Sequence, residues 1–151
     1  METVGLGFTF EDLPLGRKFR TIGRTVTEAD IVMFTSLAGL KLPVFIDDEW
    51  CRRHTDYGGR ISPGLMTAAF AVGMMEDVLG GNTLAALGLD EFRFHVPVRP
   101  GDTVRATVEV IGKRDTSDGR RGILTVAVAL LNQRGQRAMG FQGTFLMRKG
   151  D

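Results

Sequence analysis

Between Leu65 and Leu79, apolar side chains fall on every side of a helical wheel: Leu65, Met66, Ala68, Ala69, Phe70, Ala71, Val72, Met74, Met75, Val78 and Leu79. A helix that is apolar all round is enclosed by protein or by lipid. This one is shorter than the roughly 20 apolar residues of a membrane span, and Glu76 and Asp77 interrupt it. Ser62 stands where a side chain caps free amides, Pro63 suits a first helical turn, and Gly80-Gly81 provides a stop. The pattern predicts one long buried helix over about 64–79.

The flanking chain divides in two. Before the helix, Arg17 to Val26 alternates loosely as a first strand. Thr27 and Asp30 have capping-box spacing, opening a helix with Ile31, Phe34, Thr35 and Ala38 on one face and Gly39 at its end. Pro43 predicts an extended segment, and Asp47 caps a short helix running through His54. After Gly81, the segments 83–98, 103–115, 123–132 and 136–148 read as strands. Val104, Ala106, Val108 and Val110 alternate with polar neighbours, while Asp118-Gly119 and Arg134-Gly135 mark hairpin turns. Met139, Phe141, Phe145 and Met147 share one face, as do Phe92 and Phe94, which places His95 on the opposite side of its strand. Early helices, later antiparallel strands and one enclosed helix give an α+β fold: a curved sheet wrapped around the 64–79 helix. Such a sheet leaves an edge that a symmetric dimer covers.

Composition narrows the classes. The 151 residues suit a single domain over 1–151, 43% are apolar and 25% charged, as in ordinary globular proteins. A net charge of +1 gives no drive toward nucleic acid or an anionic membrane. The single cysteine, Cys51, excludes an internal disulfide and reads as a small buried hydrophobe, consistent with a reducing compartment. The first residues lack a signal-peptide pattern, so a cytoplasmic location is expected. No His/Cys/Asp/Glu cluster has metal-ligand spacing, so no metal is expected, and Gly58-Gly59 is too short for a nucleotide-phosphate loop.

Two motifs carry a family likeness. Gly58-Gly59-Arg60-Ile61-Ser62-Pro63-Gly64 resembles a glycine-glycine-x-isoleucine-x-histidine-glycine pattern, and Pro97-Val98-Arg99-Pro100-Gly101-Asp102-Thr103 resembles a proline-valine-x-proline-glycine-aspartate-threonine turn. Together with the opening FEDLPLG and the TEADIVMFTSLAG helix they are similar to the MaoC-like, (R)-specific enoyl-CoA hydratase group of hot-dog proteins, over roughly Phe8 to Met147. The resemblance implies a hot-dog fold, a homodimer or higher oligomer, and an acyl thioester of coenzyme A or a carrier protein as ligand. Coenzyme A enters as part of the substrate, with no separate cofactor. It implies addition of water to a trans-2-enoyl thioester, with an amide at the helix N-terminus polarising the carbonyl and an aspartate and a histidine handling protons.

The chain departs from that pattern where the chemistry lies. In the register set by Gly39, Pro43 and Asp47, the family's aspartate position holds Leu40, its asparagine position Leu42 and its histidine position Phe45. None of these side chains carries a proton. The histidine usually found before the helix glycine is Pro63. The resemblance therefore implies a retained carbonyl-binding region, with Leu40, Leu42, Phe45, Gly59, Ile61, Ser62, Gly64 and Leu65 as the substrate-binding set.

His54 and Asp56 are the candidate displaced catalytic groups, against plainer roles as a helix-end residue and a turn former. Asp47 and Asp48 read as helix caps, Tyr57 as a part of the loop turn, and Arg52, Arg53 and Arg60 as solvated cations with the option of meeting coenzyme A phosphates. Three functions follow: a thioester-binding protein with weak or absent classical hydratase activity, either homodimeric or paired with a dyad-bearing subunit; an active hydro-lyase using displaced groups; and a thioesterase. The last is weakest, because Glu76 and Asp77 fall near the far end of the central helix.

Overall fold

The computed structural model describes residue 1 and residues 4–150. Its architecture is α+β, with a curved antiparallel sheet and one long helix. Strands β1 (Lys18–Arg20) and β2 (Arg24–Thr25) come first, followed by helices α1 (Glu28–Ala38), α2 (Pro43–Ile46), α3 (Asp48–His54) and α4 (Gly64–Leu79). A 3-10 turn at Gly80–Asn82 leads into β3 (Thr83–Phe94), β4 (Thr103–Asp115), β5 (Arg121–Leu131) and β6 (Arg137–Arg148). The sheet order is β1-β4-β5-β6-β3, with β2 pairing farther along β4. Alternation explains the core: Val104, Ala106, Val108 and Val110 of β4, and Leu124, Val126, Val128 and Leu130 of β5, all point inward onto α4. Met139, Phe141, Phe145 and Met147 complete that wall from β6.

Several local expectations hold. Thr27 and Asp30 form the capping box, Gly39 ends α1 with φ 66°, and Asp47 accepts from the Trp50 amide at 2.8 Å. Others are corrected. The first strand is two short ones: Thr21 bonds to the neighbouring Ala106 through its hydroxyl, and Gly23 sits where a Cβ would crowd Thr103. Pro43 opens a helical turn; only Leu42 before it is held extended, and a proline at the first helical position suits the helix. In α1, Ile31 and Thr35 are buried but Ala38 is exposed.

α4 is not enclosed on all sides within one chain. Met66, Ala68, Ala71, Met75, Val78 and Leu79 are buried, whereas Leu65 is 63% exposed and Ala69 and Gly73 lie open. The open row at Ala69 and Gly73 borders Ile22, Gly23 and Arg24. β3, at the other end of the sheet order, is also mostly exposed although Leu84, Leu87 and Leu89 are apolar. β3 is also irregular. Its pairing with β6 shifts register between Thr83 and Ala85, Ala86 and Gly88, and Asp90 and Arg93, and Glu91 takes φ 55° in the last of these.

Candidate functional site

A cavity of about 510 Å³ opens at the N-terminus of α4. Leu40, Leu42 and Phe45 contribute one wall; Tyr57, Ile61, Ser62 and Pro63 a second; Gly64, Leu65 and Thr67 the helix; and Phe94, His95, Val96, Pro97, Val98 and Ala138 the wall from the sheet. The loop carrying the glycines is held firmly. The Ile61 amide donates to the Val44 carbonyl at 3.0 Å and the Ser62 amide to the Val98 carbonyl at 2.7 Å. Asp48 accepts from both the main-chain amide and Nε of Arg60, each at 2.9 Å, and Arg60 reaches Glu28 of α1 at 2.6 Å. The Arg60 amide and guanidinium hold the Asp48 carboxyl below its ordinary value, and Asp48 in turn raises Arg60. Arg60 is thereby occupied as a tie between α1, α3 and the loop. Asp48 is the anchor of that tie and not a second helix cap.

Local backbone chemistry leaves donors facing the cavity. Pro63 stands at the cap position of α4 and offers no side-chain bond. The Met66 and Thr67 amides both turn to the Pro63 carbonyl, at 3.0 and 3.2 Å. The Gly64 and Leu65 amides find no acceptor among the described residues, as the first amides of a helix do unless a cap or ligand supplies one. The helix dipole adds partial positive charge there. Ser62 does not cap the helix: it is 5% exposed, and its Oγ is buried with no partner among the described residues. A buried hydroxyl left unsatisfied is costly, so it marks a place where a ligand atom would be welcome.

Leu40, Leu42, Phe45, Ile61, Ser62, Gly64 and Leu65 are thus brought together. Gly59 is not on the cavity wall; it lies beside Asp48, whose Oδ1 is 3.4 Å from where a Cβ would stand. His54 and Asp56 lie outside. The His54 ring stacks on Trp50 with centroids 4.7 Å apart and its Nδ1 is 2.9 Å from the Trp50 carbonyl, while Asp56 is exposed on the loop. Arg52 and Arg53 pair with Glu49 on α3. Cys51 is fully buried.

His95 corrects the alternation argument. β3 ends at Phe94, so the period-two rule stops one residue too early to place His95 across the sheet. The segment 95–98 curls over the start of α4, and His95 lines the cavity. The signal in the sequence is Pro97, which cannot donate to a ladder and so marks the departure from the sheet. Phe94 goes with it: its ring lies against Gly64, with Cε1 2.8 Å from where a Cβ would stand. No group of three or more His, Cys, Asp or Glu among the described residues is arranged to hold a metal ion, and no helix among them is long and apolar enough to cross a membrane.

A sheet curved around a helix whose free amides open onto an apolar cleft is the hot-dog arrangement. A double hot-dog protein of Mycobacterium tuberculosis superposes with a TM-score of 0.85 at 23% identity, covering 95% of this chain and 45% of that one. The chain belongs to the MaoC-like domain family, whose profile matches residues 11–130. Mesaconyl-CoA hydratase of Cereibacter sphaeroides is 30% identical over 146 residues, 96% of this chain and 42% of that protein. The (R)-specific enoyl-CoA hydratase of Rhodospirillum rubrum is 31% identical over 103 residues, 68% of this chain and 69% of that protein. Monoamine oxidase regulatory protein from Archaeoglobus fulgius superposes with a TM-score of 0.85 at 31% identity, covering 96% of this chain and 97% of that one. The chain spans about two fifths of the length of the first curated relatives it matches.

Proposed function

We propose that this chain binds acyl thioesters, of coenzyme A or of a carrier protein, and that classical (R)-specific enoyl-thioester hydration by it is weak or absent. The carrying observation is the cavity at α4: an apolar wall suited to an acyl chain, meeting two unsatisfied helix amides and the Ser62 hydroxyl at one end. The thioester carbonyl accepts from Gly64 and Leu65. Leu40 and Phe45 occupy the positions where the family's pattern keeps its aspartate and histidine, and general acid–base assistance is worth roughly 10²–10⁴-fold in rate. The reading through His54 or Asp56 gains nothing from the geometry, since neither is on the cavity wall.

On this reading the protein serves fatty-acyl metabolism in the cytoplasm, as a homodimer or as the partner of a dyad-bearing MaoC-like subunit. The open, apolar edge of β3 supports an assembly, and one structural neighbour comes from the ChsH1-ChsH2 complex of Mycobacterium tuberculosis. The test is thermal unfolding with crotonyl-CoA against free coenzyme A. At a hundredfold excess over Kd, a ligand that binds only the folded state adds about 2.7 kcal/mol, or roughly 5–10 °C. Equal shifts with the two compounds would remove acyl recognition from the reading.

A further inference from the structure

We propose that His95 is the group that moves protons in this cavity, giving the protein a slow hydro-lyase activity from the wall opposite the family's usual dyad. The proposal rests on the thioester-binding reading and adds a chemical role to one residue. Among the described residues lining the cavity, only Tyr57 and His95 ionise. A phenol keeps its proton at neutral pH, whereas imidazole both takes and returns one. Among the described residues no carboxylate lies on the wall, and the His95 ring has no protein partner. Its ring is free for a water or a ligand.

The backbone around His95 is fixed at both ends. Its amide donates to the Ala138 carbonyl at 2.8 Å and the Val96 amide to the Arg137 carbonyl at 3.2 Å, which staples the segment to β6. Three residues on, the Val98 carbonyl takes the Ser62 amide, two residues before α4. Phe94, the residue before His95, packs directly on Gly64. His95 and Gly64 therefore border the same cavity from supports tied to the sheet and to α4, as proton transfer beside a held carbonyl requires. The neighbouring cations are turned elsewhere or stand at the rim: Arg93 donates to the Phe92 carbonyl at 2.8 Å, Arg137 lies along Gly140, and Arg99 is over Gly58.

The step balances without another reagent. An imidazole nitrogen of His95 takes a proton from water as the water oxygen bonds to the β-carbon of the enoyl thioester. The π pair of the double bond moves toward the carbonyl, whose oxygen becomes an enolate held by the Gly64 and Leu65 amides. The imidazolium then returns the proton to the α-carbon. Dehydration runs the same path in reverse.

The experiment follows enoyl absorbance after mixing the purified full chain with crotonyl-CoA, beside the crotonyl-CoA thermal shift, for the wild type, His95→Gln and His54→Ala. The expected result is slow wild-type turnover, unchanged in His54→Ala and reduced at least about 100-fold in His95→Gln, with the thermal shift retained and the acidic limb of the kcat/KM profile lost. The proposal is overturned if His95→Gln keeps turnover within about threefold, or loses the thermal shift as well, which would make His95 a binding residue. Absence of wild-type turnover with a retained shift also overturns it and leaves the binding reading standing. Absence of a wild-type shift removes both.

Discussion

A methyl group at position 64 would meet the Phe94 ring at 2.8 Å. Because Phe94 is 51% exposed, the ring has somewhere to go, and Gly64→Ala should fold while displacing it from the cavity mouth. The crotonyl-CoA thermal shift is expected to shrink in that variant while its unliganded Tm moves by only a few degrees. The converse experiment adds chemistry: Leu40→Asp with Phe45→His puts a proton-handling pair on the cavity wall, and crotonyl-CoA hydration should rise by about 10²–10⁴-fold. Asp48 tests the loop that carries those amides. Its carboxyl is held below an ordinary value of 3.8 by the Arg60 amide and guanidinium, so the folded protein binds fewer protons there than the unfolded chain. The stabilisation is complete above the unfolded value and is lost as pH falls through the lower folded one. Asp48→Asn is therefore expected to lower Tm at pH 7 by about 2–4 °C, for a loss near ~1 kcal/mol in a partly exposed pair. The gap to the wild type should close as Tm is followed below pH 4.

At the scale of the element, α4 combines a fully buried row with an open one. Met66→Ala removes a side chain with no exposure and should cost about 2–5 kcal/mol in urea unfolding. What could be read from the chain divides along physical lines. β4, β5 and β6 pack one face on the core, and that alternation is printed directly in Val104–Val110 and its counterparts. The capping box of α1 is likewise local chemistry between Thr27 and Asp30, and needs nothing from elsewhere. Misreadings arise where the answer depends on a distant neighbour or on the end of an element. Ser62 stands at a spacing that suits a cap, but its amide is drawn to Val98 and Pro63 takes the cap position. His95 stands just past the end of β3, still bonded to β6 through its amide but no longer in the regular alternation. Asp48 finds its partner twelve residues away, in a loop whose path no periodicity records. The apolar wall at Leu40, Leu42 and Phe45 was legible through the motif register, whereas the role of Phe94 was not, because it depends on how the end of β3 meets the start of α4.

At the scale of the whole molecule, the two sheet edges differ. β1 offers only three residues, while β3 runs for twelve with one side unpaired and Leu87 53% exposed. A long edge with apolar side chains is normally covered. Leu87→Lys is expected to leave the fold intact and convert a dimer to monomer in sedimentation velocity; a wild type that sediments as a monomer at tens of micromolar would place the interface elsewhere. The uneven spacing of β3 bears on which chains that edge accepts. Its pairing with β6 skips at three places, and at Glu91 the backbone adopts a left-handed turn that non-glycine residues seldom enter. A regular strand presents the same row of amides and carbonyls after every two residues, so a newcomer can dock in several phases. β3 does not repeat itself in that way, and a newcomer displaced by two residues would meet kinks where it expects straight chain. The edge thus acts as a keyed surface, tolerant of a chain with matching irregularities and resistant to the indiscriminate strand addition from which fibrils grow.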